Sequence, residues 1–115
     1  MRVRLEASEG NMDYIQELEN VIRKLHGARA KHAKSVPVKE TFQGQTVWDG
    51  IVEVFNLKGH PKAKKAYAWA HDTDDPIHPR RHVTVLHIPP VVSPETAVKA
   101  AIVQEYRSNE KRQEN

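Results

Sequence analysis

Apolar positions in this chain switch between helical and strand spacing, and the switches mark out its elements. From Asp13 to about Lys34 the residues Tyr14, Ile15, Leu18, Val21, Ile22, Leu25 and Ala28 recur at steps of three and four. That spacing predicts a helix with one apolar face. Asn11 or Asp13 can cap its start, Asp13 and Glu17 suit the positive end of the dipole, and Arg29, Lys31 and Lys34 suit the negative end. Pro37 disfavours α geometry at Val36, so the helix is expected to finish by Ser35.

Thr46–Leu57 is rich in β-branched and aromatic residues between the turn-prone Gln43-Gly44-Gln45 and Lys58-Gly59-His60-Pro61, and predicts a long strand. Val36–Phe42 reads as a short edge strand or an extended approach, limited by Pro37. In Ala63–His71 small Ala66, Ala68 and Ala70 alternate with Lys65, Tyr67, Trp69 and His71, a period of two. The alanines also permit a helix, but the aromatic alternation and the turn at Asp72–Pro79 favour a strand. Arg81–Ile88 predicts another, stopped by Pro89-Pro90. Ser93-Pro94-Glu95 then starts a second helix with cap, first-turn proline and first-turn acid in their preferred places. Val98, Ala101, Ile102 and Tyr106 form its apolar stripe.

The order is helix, three or four meandering strands, helix. Short connections between strands exclude parallel crossovers, so the expected class is α+β with an antiparallel sheet and both helices on one face. The Ala66/Ala68/Ala70 side would receive the helices, leaving Tyr67 and Trp69 on an open face. Residues 1–10 are expected to be a flexible N-terminal segment, with Met12 an alternative start; 11–107 form one domain, and the polar tail 108–115 frays.

A chain of 115 residues accommodates one core, burying roughly two thirds of its unfolded surface without a staple. There is no cysteine, which excludes disulfides, thiolate metal sites and cysteine nucleophiles and points to the cytoplasm. Glu6, Glu9 and Asp13 interrupt any apolar signal run, and no apolar stretch is long enough to span a membrane. No cofactor motif is present.

The net charge is only +3, but it is unevenly placed: residues 20–71 hold ten Lys/Arg against Glu40, Asp49 and Glu53. Within that stretch Lys58, Lys62, Lys64 and Lys65 adjoin Tyr67 and Trp69. Aromatics on a basic sheet can stack on unpaired bases while lysines contact phosphates, which makes these six candidate nucleic-acid-binding residues. His71, Asp74, His78 and His82 are candidate metal ligands in a His/Asp-rich loop, although Arg80 and Arg81 bring positive charge into it. No nucleophile with a neighbouring base, phosphate-binding glycine loop or paired-carboxylate motif is visible.

The segment VFNLKGHPKAKKAYAW and the order of elements resemble, in pattern, the double-stranded-RNA-binding domain over residues 11–107. Gly59-His60-Pro61-Lys62 stands where that family has a Gly-Pro-x-His type loop, while Pro94-Glu95-Thr96 stands where it has a lysine pair that contacts phosphates. Three functional expectations follow. The first is a small interaction domain, oligomerising with itself through the open sheet face. The second is a binder of RNA or single-stranded nucleic acid. The third is a small enzyme or metal protein using the His/Asp loop.

Overall fold

The computed structural model describes the backbone of residues 2–77 and 79–114 and the side chains of 13–77 and 79–105. Its elements are α1 (Arg2–His26), β1 (Arg29–Phe42), β2 (Gln45–Lys58), β3 (Lys65–Asp72), β4 (Arg80–Leu86) and α2 (Pro94–Glu114). The strands form one antiparallel sheet in the order β1-β2-β3-β4, the meander expected of an α+β chain with short turns.

Helix α1 ends earlier than its apolar spacing predicts. Gly27 adopts φ 67° and its N–H donates to the Arg23 carbonyl at 2.9 Å, a left-handed C-cap that only glycine takes without strain. Residues 29–42 therefore leave the helix and build a strand as long as β2. The β1–β2 connection is a two-residue hairpin in which Gln43 (φ 54°) and Gly44 (φ 78°) both have positive φ, matching the right-handed strand twist. At α2, Ser93 Oγ accepts from Thr96 N at 3.1 Å while Thr96 Oγ1 accepts from Ser93 N at 2.9 Å. This reciprocal cap supports the helix start read from Ser93-Pro94-Glu95.

The placement of the helices corrects the expectation of one shared face. Phe55 and Leu57 on β2 and Ala66 and Ala68 on β3 pack with Leu18 and Ile22 of α1. Val52 and Val54 with Tyr67 and Trp69, which alternate with them along the same strands, pack instead with Ala97 and Val98 of α2. The sheet is the middle layer of an α/β/α sandwich. Tyr67 and Trp69 do lie opposite α1, but their large apolar rings demand cover, and α2 supplies it from within the chain. The small Ala97 and Ala101 let that helix approach them.

Leu25 also departs from the predicted stripe: it is 62% exposed, whereas Leu18 and Ile22 are fully buried. Leu18→Ala is expected to cost about 2–5 kcal/mol through cavity formation. Leu25→Ala should stay within about 0.5 kcal/mol. Thermal or urea unfolding of the two variants checks this, and equal losses would reject the assigned helix face.

Candidate nucleic-acid interface

Pairing of β1, β2 and β3 gathers the basic middle of the chain at one end of the sheet. Lys31 lies opposite Asn56 and Asn56 opposite Lys65, so the three form a cross-strand row. The next pair outward is Arg29 opposite Lys58. By strand alternation these side chains share the face that carries Val54 and Tyr67, the α2 face. The packing of α2 begins further along, against Val54 and Tyr67, and all five residues of the row and pair are exposed. Lys62 and Lys64 extend the surface into the β2–β3 turn, and Arg23 and Lys24 in the last turn of α1 stand close behind Arg29 in the chain.

No Asp or Glu occurs in residues 20–39 or 54–71, which hold ten Lys/Arg. Among the described residues none of these ten is in an ion pair. Like charges directly opposite each other destabilise a sheet, so Arg29 facing Lys58 is a cost that a bound anion would relieve. The turn beneath is ordered: Gly59 takes φ 92°, and His60 Nδ1 accepts from the backbone N–H of Lys62 at 3.0 Å and of Ala63 at 2.9 Å. The neutral ring of His60 in this arrangement carries its proton on Nε2.

The predicted binding residues thus separate into two groups. Lys58, Lys62, Lys64 and Lys65 are exposed together, but Tyr67 and Trp69 are only 2% and 3% exposed. Trp69 packs edge-on against Trp48 at 5.3 Å between ring centroids, and Tyr67 Oη lies 2.6 Å from His87 Nδ1. Burial, and secondarily the charge of Glu95, pushes the Tyr67 phenol above its ordinary pKa, so it stays a neutral hydrogen-bonding group. Neither ring offers a face to a base. The open sheet face expected for oligomerisation is absent for the same reason, since α2 occupies it.

The candidate metal ligands do not converge. His71 Nδ1 is 3.2 Å from the Asp72 carbonyl, His82 bonds Glu17, Asp74 is exposed in the loop, and His78 lies outside the described residues. Among the described residues no group of three or more His, Asp or Glu side chains is arranged to hold a metal ion.

A different polar cluster escaped the sequence reading. Glu53, buried at 6% exposure, accepts from Ser35 Oγ at 2.5 Å and lies 2.8 Å from His32 Nε2. The bulge between His32 and Lys34 shifts the alternation so that His32 and Ser35, three apart, meet on one face. The geometry is not that of a catalytic triad. There, histidine addresses serine and acid through different nitrogens, whereas here Ser35 and His32 converge on the same carboxylate oxygen. The cluster gives a buried carboxyl group its hydrogen-bond partners, a structural task.

Glu17 joins α1 to β4, bonded by Arg80 Nε at 2.8 Å and by His82. Burial works to raise its pKa, but the His82 hydrogen bond and the Arg80 charge outweigh this and hold it below the ordinary 4.5. His26, whose Nε2 is 2.8 Å from Thr84 Oγ1, is held below its ordinary 6.5 by burial and then by His60.

Compared with models of protein families, with curated proteins and with solved structures, the chain finds no match in any of the three.

Two predictions follow from these sites. Because the folded state disfavours protonated His26, the unfolded chain binds more protons just below pH 6.5, and that contribution to stability is complete above 6.5 and lost as pH falls through the lower folded value. The depressed Glu17 contributes in the same direction, complete above 4.5 and lost as pH falls below it. Melting temperature should therefore drop in two stages on acidification, and His26→Gln should remove the upper stage. Trp69→Ala should destabilise the fold by about 3–5 kcal/mol, as expected of a core ring. A melting temperature within a degree of wild type would place Trp69 on the surface.

Proposed function

We propose that the protein binds nucleic acid by its phosphate backbone, without reading bases, through the basic end of the sheet. The observation that carries this reading is the exposed Lys31–Asn56–Lys65 row beside the Arg29–Lys58 pair, a surface of like charges whose cations pair with no carboxylate among the described residues. Lysine and arginine attract phosphates at any sequence, and each neutralised phosphate releases counterions. Asn56 adds an amide that can donate to a phosphate oxygen.

With Tyr67 and Trp69 buried, the surface has no stacking platform for single strands. It favours the higher linear charge density of a duplex over a single strand.

The test is fluorescence anisotropy with a labelled duplex over a range of salt concentrations. Affinity should fall linearly in log–log form with salt, and Lys31→Gln, Lys58→Gln and Lys65→Gln should each reduce that slope by about one. Lys39→Gln, at the other end of β1, should leave it unchanged. Lys58→Glu should weaken binding while gaining roughly 0.2–1 kcal/mol in stability, because it turns the repulsion with Arg29 into attraction. Binding whose slope is indifferent to all three glutamine variants, or no binding even at low salt, would sink the proposal.

A further inference from the structure

The two edges of the sheet are built differently. The β1 edge carries Pro37, two register irregularities and Lys31, Lys34 and Lys39, the devices that keep an edge from pairing with another chain. On β4 there is no proline and no bulge: Arg80–Leu86 runs in unbroken register with β3, with Val83, Thr84 and Val85 in succession. Its charges are already answered within the chain, Arg80 and His82 by Glu17 and Arg81 by Glu105 at 3.1 Å.

The backbone phase of this edge follows from its ends. His87 N–H donates to the Lys65 carbonyl and Thr73 N–H to the Pro79 carbonyl. Odd-numbered residues therefore hold the ladder to β3, and the N–H and C=O groups of His82 and Thr84 point away from the sheet. A groove flanks the edge on each side. On the α1 side a mostly polar groove of ≈ 640 Å³ is lined by Lys24, Arg80, Arg81 and His82, with Val21 and the exposed Leu25 as its apolar part. On the α2 side one of ≈ 280 Å³ includes Val83, Val85 and Ala101.

We propose that β4 is a dimerisation edge, on which a second copy of this chain pairs its own β4 antiparallel about a two-fold axis normal to the sheet. Centred on Val83, that pairing engages the whole strand, with His82 of each copy exchanging hydrogen bonds with Thr84 of the other. Arg80 and Arg81 then oppose Leu86 and Val85 of the second copy, so no arginine faces an arginine. Parallel pairing would stack them. An acidic peptide gains little at this edge, because the intramolecular carboxylates already compensate its cations. A second copy fits because the strand is self-complementary when reversed, as an isologous interface requires. The proposal does not depend on the phosphate-binding reading, whose row lies on β1, β2 and β3.

Sedimentation equilibrium of the full chain from low to high micromolar concentration should show a dimer. Thr84→Pro removes an outward N–H that the β3–β4 ladder does not use, and should yield a monomer with the circular dichroism of the wild type. The chain has no cysteine, so a single introduced one reports unambiguously. In the centred register Val83 meets its counterpart in a non-hydrogen-bonded pair with Cα atoms about 4.5 Å apart, within disulfide range. Val83→Cys should therefore cross-link under mild oxidation, whereas Lys39→Cys on the β1 edge should not. If Thr84→Pro fails to fold, the cross-link decides. A wild type that stays monomeric throughout, a folded Thr84→Pro variant that remains dimeric, or a Val83→Cys variant that does not cross-link would overturn the proposal.

Discussion

Val54 and Phe55 are neighbours in β2, their side chains leave the sheet on opposite sides, and both are buried. The same holds for Ala66 and Tyr67 in β3. A pair of central strands that is apolar on both faces needs two covers, and the chain supplies one helix from each end. On the α1 face the β3 residues opposite are small, so Leu18 and Ile22 sit over Ala66 and Ala68 beside the larger Phe55 and Leu57 of β2. On the α2 face the size is reversed, with large rings on β3 and small Ala97 and Ala101 on the helix. Where β3 meets each helix, large side chains face small ones, which favours close packing.

Burying both faces settles where polar groups can go. Tyr14 Oη accepts from Ala70 N at 2.7 Å beyond the last β2–β3 pair, Glu53 with Ala68, so a helix side chain completes the ladder where the two strands separate. Burial, above all, raises the Tyr14 phenol pKa, and the group remains neutral there. Gly50 serves the same economy of space: a Cβ on it would come 3.1 Å from Trp48 Cη2, so its bare backbone seats the indole that leans on Trp69. No helix of the described residues is long and apolar enough to cross a membrane.

With both faces of its central part covered, what the sheet still presents is its ends and its edges. The basic row and the β4 edge are surfaces of those two kinds, one offering charge and the other backbone hydrogen-bonding groups. They lie on different strands, so a protein carrying both would bind phosphate and a second copy without competition between them.

Local chemistry made much of the architecture legible in the sequence. The strands β2, β3 and β4 follow from β-branched and aromatic runs bounded by Gly and Pro, and the start of α2 from Ser93-Pro94-Glu95, because these signals act over a few neighbouring residues. The end of α1 differs from the expected one because Ala28 continues a helical spacing across Gly27, whose left-handed backbone instead caps the helix before β1 pairs with β2. Alternation in β3 showed that its two faces differ, but not that a helix from the far end of the chain covers the aromatic one. The excess of basic residues was equally visible, while the row joining Lys31 to Asn56 and Lys65 depends on strand register, and the Glu53–Ser35–His32 cluster on a bulge. Propensity and patterning are properties of short segments and can be read along the chain. Which faces are covered and which charges become neighbours is set by contacts between residues far apart in sequence, and these exist only in the folded molecule.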